Sequence, residues 1–160
     1  MKPAKRYWLM KSEPETFSID DLKRVKKEPW SGVRGFQARN YMRDEMQPGD
    51  PILFYHSSCP IPGVYGVGRV ASEAYPDPTQ FDTKSPYYDP RATKAKPLWQ
   101  LVDIAFVKKL KEPVTLAQMR ANKKLAKMIT LQPGSRLSIT PVTAAEFEEI
   151  IRAAGSAEKQ

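Results

Sequence analysis

The segment Leu98 to Leu110 constrains this chain more than any other, because apolar side chains occupy both alternating faces of it. Trp99, Leu101, Ala105 and Val107 share one face with Asp103, and Leu98, Val102, Ile104 and Phe106 share the other. A strand covered on both faces sits inside a sheet, so this segment reads as the long central strand of the fold. Other strands are legible around it. Arg6 to Lys11 is aromatic-rich and stopped by Ser12-Glu13-Pro14, Ile52 to His56 is bounded by prolines, Val64 to Val70 carries Gly66 and Gly68, and Arg136 to Ile139 is short. Helices are expected from Ser18 to about Lys27, from about Gly35 to Met46, in short turns over 115–121 and 123–128, and from the Thr143/Glu146 capping box to Gly155. Glu28-Pro29-Trp30-Ser31-Gly32 reads as a loop, and residues 75–97, with five prolines, as a long irregular connection of the kind that is usually functional or mobile. The result is one α+β domain over residues 1–160, core about 6–152, built as a small barrel of about five mixed strands with peripheral helices.

Charge is unevenly placed. Between Arg91 and Lys127 there are ten basic residues and two acids, whereas the remaining sixteen basic and sixteen acidic residues cancel, so the segment holds the whole net charge of +8. A localised positive field of this kind fits a polyanion, whose condensed counterions it would release. A merely solvated face fits the charge equally well. No apolar run reaches the roughly 18 residues that span a bilayer, and no membrane partner is expected. Cys59, the sole cysteine, excludes an internal disulfide framework and points to a reducing compartment, the cytoplasm or, in a eukaryote, the nucleus.

Catalytic and metal chemistry find little support. His56, the sole histidine, lies three residues from Cys59. A hydrolase would need the pair in hydrogen-bond reach with a third orienting group, and a hydrogen-bonded histidine beside an inert thiol is the commoner arrangement. One histidine and one cysteine do not furnish the four ligands of a zinc site, so neither metal nor cofactor is expected. Gly63-Val64-Tyr65-Gly66-Val67-Gly68 lies within a strand pattern and opens no helix, unlike a phosphate loop.

A base-binding pocket fits better. Reading an unstacked base needs an aromatic surface for its face and fixed polar groups for its edge. Trp30 stands in a breaker-rich segment where a core tryptophan is unusual, while Tyr55 and Trp99, taken singly, read as core residues. Ser12, Arg34, Asn40, His56, Arg136 and Ser138 supply polar groups nearby in sequence. A small-molecule module using the same pocket remains open and differs in predicting binding insensitive to salt.

The string Trp8-Leu9-Met10-Lys11-Ser12-Glu13-Pro14 resembles the opening of the EVE domain family. Trp30 to Asn40, Phe54 to Ser57, Pro62 to Gly66, Tyr88-Asp89-Pro90, Trp99 to Asp103 and Gln132 to Ser138 match in the same order, so the resemblance covers about residues 6–152. It implies a PUA-like barrel related in shape to YTH domains, and binding of modified bases in DNA, notably methylated or hydroxymethylated cytosine. A monomer is expected. By resemblance the pocket draws on Lys11, Ser12, Glu13, Pro14, Trp30, Val33, Arg34, Asn40, Tyr55, His56, Ser57, Trp99, Arg136, Leu137 and Ser138. Gly35-Phe36 stands where many members have Asn-Tyr. The expectation is therefore a non-catalytic reader of nucleic acid carrying a modified base, probed by flipping. Trp30 floors its slot, Ser12, Asn40 and His56 fix the base edge, and Arg34 and Arg136 meet base or phosphate. Lys94, Lys96, Lys108, Lys109, Lys111, Lys123 and Lys124 track the backbone.

Overall fold

The computed structural model describes residues 5–134 and 136–158. Six strands form one mixed sheet in the order β2-β7-β4-β3-β1-β8, and a two-stranded ribbon pairs β5 with β6. The strands are β1 (Tyr7–Ser12), β2 (Lys27–Pro29), β3 (Pro51–His56), β4 (Gly63–Val70), β5 (Tyr75–Pro76), β6 (Gln100–Leu101), β7 (Asp103–Thr115) and β8 (Ile139–Val142). β1 runs parallel to β3, and the other neighbours are antiparallel. Register shifts between β3 and β4 and again between β4 and β7 bend the strands, and the sheet curls into a half-barrel. The barrel expectation holds, with eight strands among the described residues in place of about five.

Alternation along the central strands divides the core in two. Trp8, Met10, Ile52, Phe54 and Ile104 pack on one face with α1 (Ile19–Val25), Met42 and Trp30. Leu9, Leu53, Tyr55, Val64 and Leu110 pack on the other with α3 (Leu116–Ala121) and α4 (Ala144–Glu158). The period of two puts neighbouring residues on opposite sides, so each central strand serves both clusters. Gly66 is required where the sheet meets α1, since a Cβ there would overlap the Ile19 side chain.

Helix starts follow their caps. Ser18 and Asp21 form a reciprocal capping box on α1, Thr115 and Gln118 do the same on α3, and Thr143 with Glu146 opens α4. The helix expected over 35–46 is α2 (Phe36–Asn40) continued by a wider π turn over Tyr41–Glu45.

Five expectations need correction. The segment from Leu98 is broken at Val102, because β6 pairs with β5 while β7 pairs with β4 and β2, and the chain changes partner between them. β7 then continues past Leu110 to Thr115, and Val107 on it is exposed. Pro113 is tolerated there because residues 110–113 fall in a gap of the β4 pairing. The loop expected over 28–32 begins as strand: Lys27, Glu28 and Pro29 pair with Ala105, Ile104 and Asp103. The last strand starts at Ile139, where the expected one ended. Finally, α1 stops at Val25, with Lys26 at a φ of +72°, and α4 runs through Gly155 to Glu158. A glycine inside a helix is a cost rather than a stop unless the chain turns left-handed there.

Candidate nucleic-acid interface

A cavity of about 590 Å³ opens on the Trp30 side of the sheet. One wall comes from the end of β1 and the turn after it, through Lys11, Ser12, Glu13, Thr16 and Phe17. The opposite wall is the continuous stretch Glu28 to Arg34, with Tyr87 and Ser138 completing the rim. Its volume suits a small planar ligand.

Trp30 reaches this position because β2 carries it there. Its backbone N–H donates to the Val102 carbonyl at 3.0 Å, directly after the paired residue Pro29. The indole is only 8% exposed and meets Phe54 and Phe17 edge-on, at 5.6 and 6.3 Å between ring centroids. A tryptophan expected outside the core is thus part of it and lines the cavity as well. Its Nε1–H donates to no acceptor among the described residues, whereas buried indoles usually find one.

Glu28 precedes Trp30 by two residues and so shares its face. It lies opposite the fully buried Ile104, which places its side chain toward the same interior. Burial raises the pKa of its carboxyl, an effect opposed by the charge of Arg24 and assisted by that of Asp21. Lys11, at the β1 end, has its pKa lowered by burial, and its Nζ lies 5.8 Å from the centre of the Tyr55 ring. Ser12 donates its hydroxyl hydrogen to the Phe17 carbonyl, which draws Phe17 over the strand end.

Arg34 is anchored rather than free. Its five N–H groups reach the carbonyls of Tyr87 (twice) and Val33, the Asp77 carboxylate at 3.1 Å and the Thr79 hydroxyl at 3.0 Å. All its donors are spent inside the protein, so the expected role on base or phosphate gives way to a structural one: it clamps the 75–97 connection over the cavity. Asp77, 1% exposed, also accepts from the Gly32 N–H at 2.8 Å. Burial would raise its pKa, but the hydrogen bonds from Thr79, Gly32 and Arg34 outweigh that and hold it below the usual carboxylate range. Gly32 has a φ of +86°, and a Cβ there would lie 2.7 Å from Tyr87 Cζ, so the glycine lets the Tyr87 ring close against the backbone.

The structure thus brings Lys11, Ser12, Glu13, Trp30, Val33, Arg34 and Ser138 together around one cavity. It leaves the other expected residues elsewhere. Pro14 adjoins the cavity in sequence without lining it. Tyr55 projects into the second core cluster, on the far face of the sheet. His56 is buried, stacks on Tyr65 at 4.0 Å, and accepts at Nε2 from the Ile19 N–H at 3.1 Å, so it serves the first turn of α1 instead of a base edge. Its burial lowers the imidazole pKa, which suits the neutral acceptor form. Ser57 donates its backbone N–H to the Ser12 carbonyl. Asn40 Oδ1 is taken by two N–H groups of Arg39. Trp99 lines a separate, smaller cavity with Phe36, on which it stacks at 4.8 Å, and its Nε1–H donates to Asp89. Arg136 is exposed and, like Leu137, lies outside the cavity lining.

The lysines are dispersed. Lys94 and Lys96 are exposed on the 75–97 connection, Lys108 and Lys111 on β7, and none of the seven lines the cavity. Lys109 pairs with Asp20 at 2.9 Å, and Lys123 and Lys124 lie beside Glu149 on the α4 side. Among the described residues no hydrogen bond joins Cys59 to His56, and no group of three or more His, Cys, Asp or Glu is placed to hold a metal ion. No helix among them is long and apolar enough to cross a membrane. Residues the sequence did not single out are Thr16, Phe17, Glu28, Pro29, Ser31, Gly32 and Tyr87. Recognition of β2 would have exposed Glu28, two positions from Trp30.

Against known proteins, the EVE domain model matches residues 6–153. Thymocyte nuclear protein 1 of Mus musculus is 41% identical over 94% of this chain and 74% of its own length, and that of Homo sapiens is 39% identical over 94% and 75%. A crystal structure of human THYN1 protein in complex with 5-methylcytosine-containing DNA superposes with a TM-score of 0.87, at 38% identity over 94% of this chain and 98% of that one. A hypothetical protein from Leishmania major superposes at 0.92, with 45% identity over 97% and 98%. This chain belongs to the EVE domain family.

Proposed function

We propose that this protein is a nucleic-acid-binding reader that takes one unstacked base, a modified cytosine, into the cavity beside Trp30. The observation that carries this is a buried indole on an open cavity whose own N–H is unpaired among the described residues. An aromatic wall costs nothing to present to the flat face of a base, and stacking returns about 1–3 kcal/mol, comparable with the few kcal/mol needed to unstack the base. Phe17 and Val33 add apolar surface for a C5 substituent, and the rim carries the polar atoms. The relative solved with 5-methylcytosine-containing DNA supplies the choice of base. The exposed lysines of β7 and of the 75–97 connection supply phosphate contacts outside the cavity, which strengthen binding without reading the base.

The test is a titration of oligonucleotides identical but for one 5-methylcytosine, cytosine or abasic site, at two salt concentrations. Trp30→Phe, which keeps the core packed, is expected to lower the preference for the methylated base roughly tenfold while leaving binding to the abasic strand unchanged. Equal preference in wild type and variant removes Trp30 from the account.

A further inference from the structure

5-Methylcytosine and thymine carry the same methyl group on the same ring. They differ at position 4, an amino donor in one and a carbonyl acceptor in the other, and at N3, an acceptor in one and a donor in the other. Apolar walls such as Trp30, Phe17 and Val33 are blind to that difference. A reader of methylated cytosine in DNA therefore needs a group that rejects thymine, which is present in large excess.

We propose that Glu28 is that group, accepting a hydrogen bond from the exocyclic amino group of cytosine and repelling the thymine carbonyl. The inference rests on the reading of the cavity given above. Three observations point to Glu28. It lines the cavity, and its register opposite Ile104 puts its side chain on the Trp30 face. Its carboxylate takes part in no hydrogen bond or ion pair among the described residues, in contrast to the buried Asp77, Asp89 and Glu149, each of which is bound by an arginine. It is also partly buried, so the missing partner has a cost, expressed in the raised pKa of its carboxyl. A carboxylate is the side chain suited to the cytosine amino group. The other acid on the rim, Glu13, is exposed and follows the end of β1, where nothing fixes it against Trp30.

The experiment compares dissociation constants for oligonucleotides that carry 5-methylcytosine, thymine or 5-methylpyrimidin-2-one at one position. The last has the methyl group but no amino group. Wild type is expected to favour 5-methylcytosine over both by about tenfold. Glu28→Gln, whose amide turns either end toward the base, is expected to bind thymine as well as 5-methylcytosine within about twofold, and Glu13→Gln to behave as wild type. An unchanged ratio in Glu28→Gln overturns the inference. Should that variant fail to fold, equal binding of 5-methylcytosine and 5-methylpyrimidin-2-one by wild type overturns it instead. If Trp30→Phe still lowers base-dependent binding in either case, the reader stands and only the role of Glu28 falls. If wild type shows no dependence on the base at all, both fall.

Discussion

Trp30 and Trp99 are both buried, and both were candidates for the same slot, yet their surroundings differ in kind. Every polar group of Trp99 is answered. Its Nε1–H donates to Asp89, which Arg91 holds, and Gln80 accepts from the backbone N–H groups of Leu98 and Trp99 while donating to the Trp99 carbonyl. Around Trp30 the indole N–H and the Glu28 carboxylate make no hydrogen bond among the described residues and stand beside an open cavity. A satisfied network holds a shape, whereas unmet groups cost stability unless a ligand meets them. The difference separates scaffold from site more sharply than burial does, since the two tryptophans are 2% and 8% exposed. Arg34 and Tyr87 belong to both regions, so the scaffold around Trp99 sets the outer wall of the cavity.

Three measurements would break or sharpen this contrast. The largest effect is expected from Asp77→Ala, which strips partners from Gly32, Thr79 and Arg34 and leaves a guanidinium half-buried without its acid. A loss of about 3 kcal/mol in urea unfolding is expected, with base binding lost alongside. A variant of wild-type stability would show that the scaffold does not depend on this carboxylate. Gly32→Ala comes next, at about 1–2 kcal/mol, because a left-handed backbone and the Tyr87 ring both oppose the new methyl group. Its base binding should fall further than its stability does; equal losses would mean that Tyr87 is not a wall.

The smallest effect concerns acid. Asp77 and Asp89 have lowered pKa values, Asp89 chiefly through Arg91, and Arg152 with Asn122 holds Glu149 at about 2. Their stabilisation is present in full above the ordinary carboxylate range and is lost as pH falls from about 4 toward the native values. Glu28 has the opposite sign, since its ionised form is disfavoured in the fold and the penalty lifts as pH falls through its raised value. Glu28→Gln should therefore show a small rise in Tm at neutral pH that disappears on acidification. A fall in Tm would place Glu28 among the satisfied acids and erase the contrast.

Elements with a local cause were legible in advance. The capping pairs of α1 and α4 come from residues three apart, and β1, β3 and β4 show their alternation within a few positions. β2 was not legible, because Lys27-Glu28-Pro29 has neither length nor apolar pattern and becomes a strand only against β7. The same limit governed the site. Trp30, Ser12 and Val33 were singled out and do line the cavity, while Tyr55 and His56, adjacent in sequence, went to the second core cluster and to the first turn of α1 respectively.

By itself, then, the sequence determined the family, the helix starts, the central strands and the presence of an aromatic residue in a turn where the chain is punctuated. Those follow from short-range stereochemistry and from residue strings. Tertiary structure alone decided which polar groups were consumed. Arg34 spends its donors on a loop some fifty residues away, at Tyr87, while the Glu28 carboxylate takes part in no hydrogen bond or ion pair among the described residues. Whether a charged side chain is scaffold or site depends on what long-range packing sets opposite it, and no local pattern of residues carries that information.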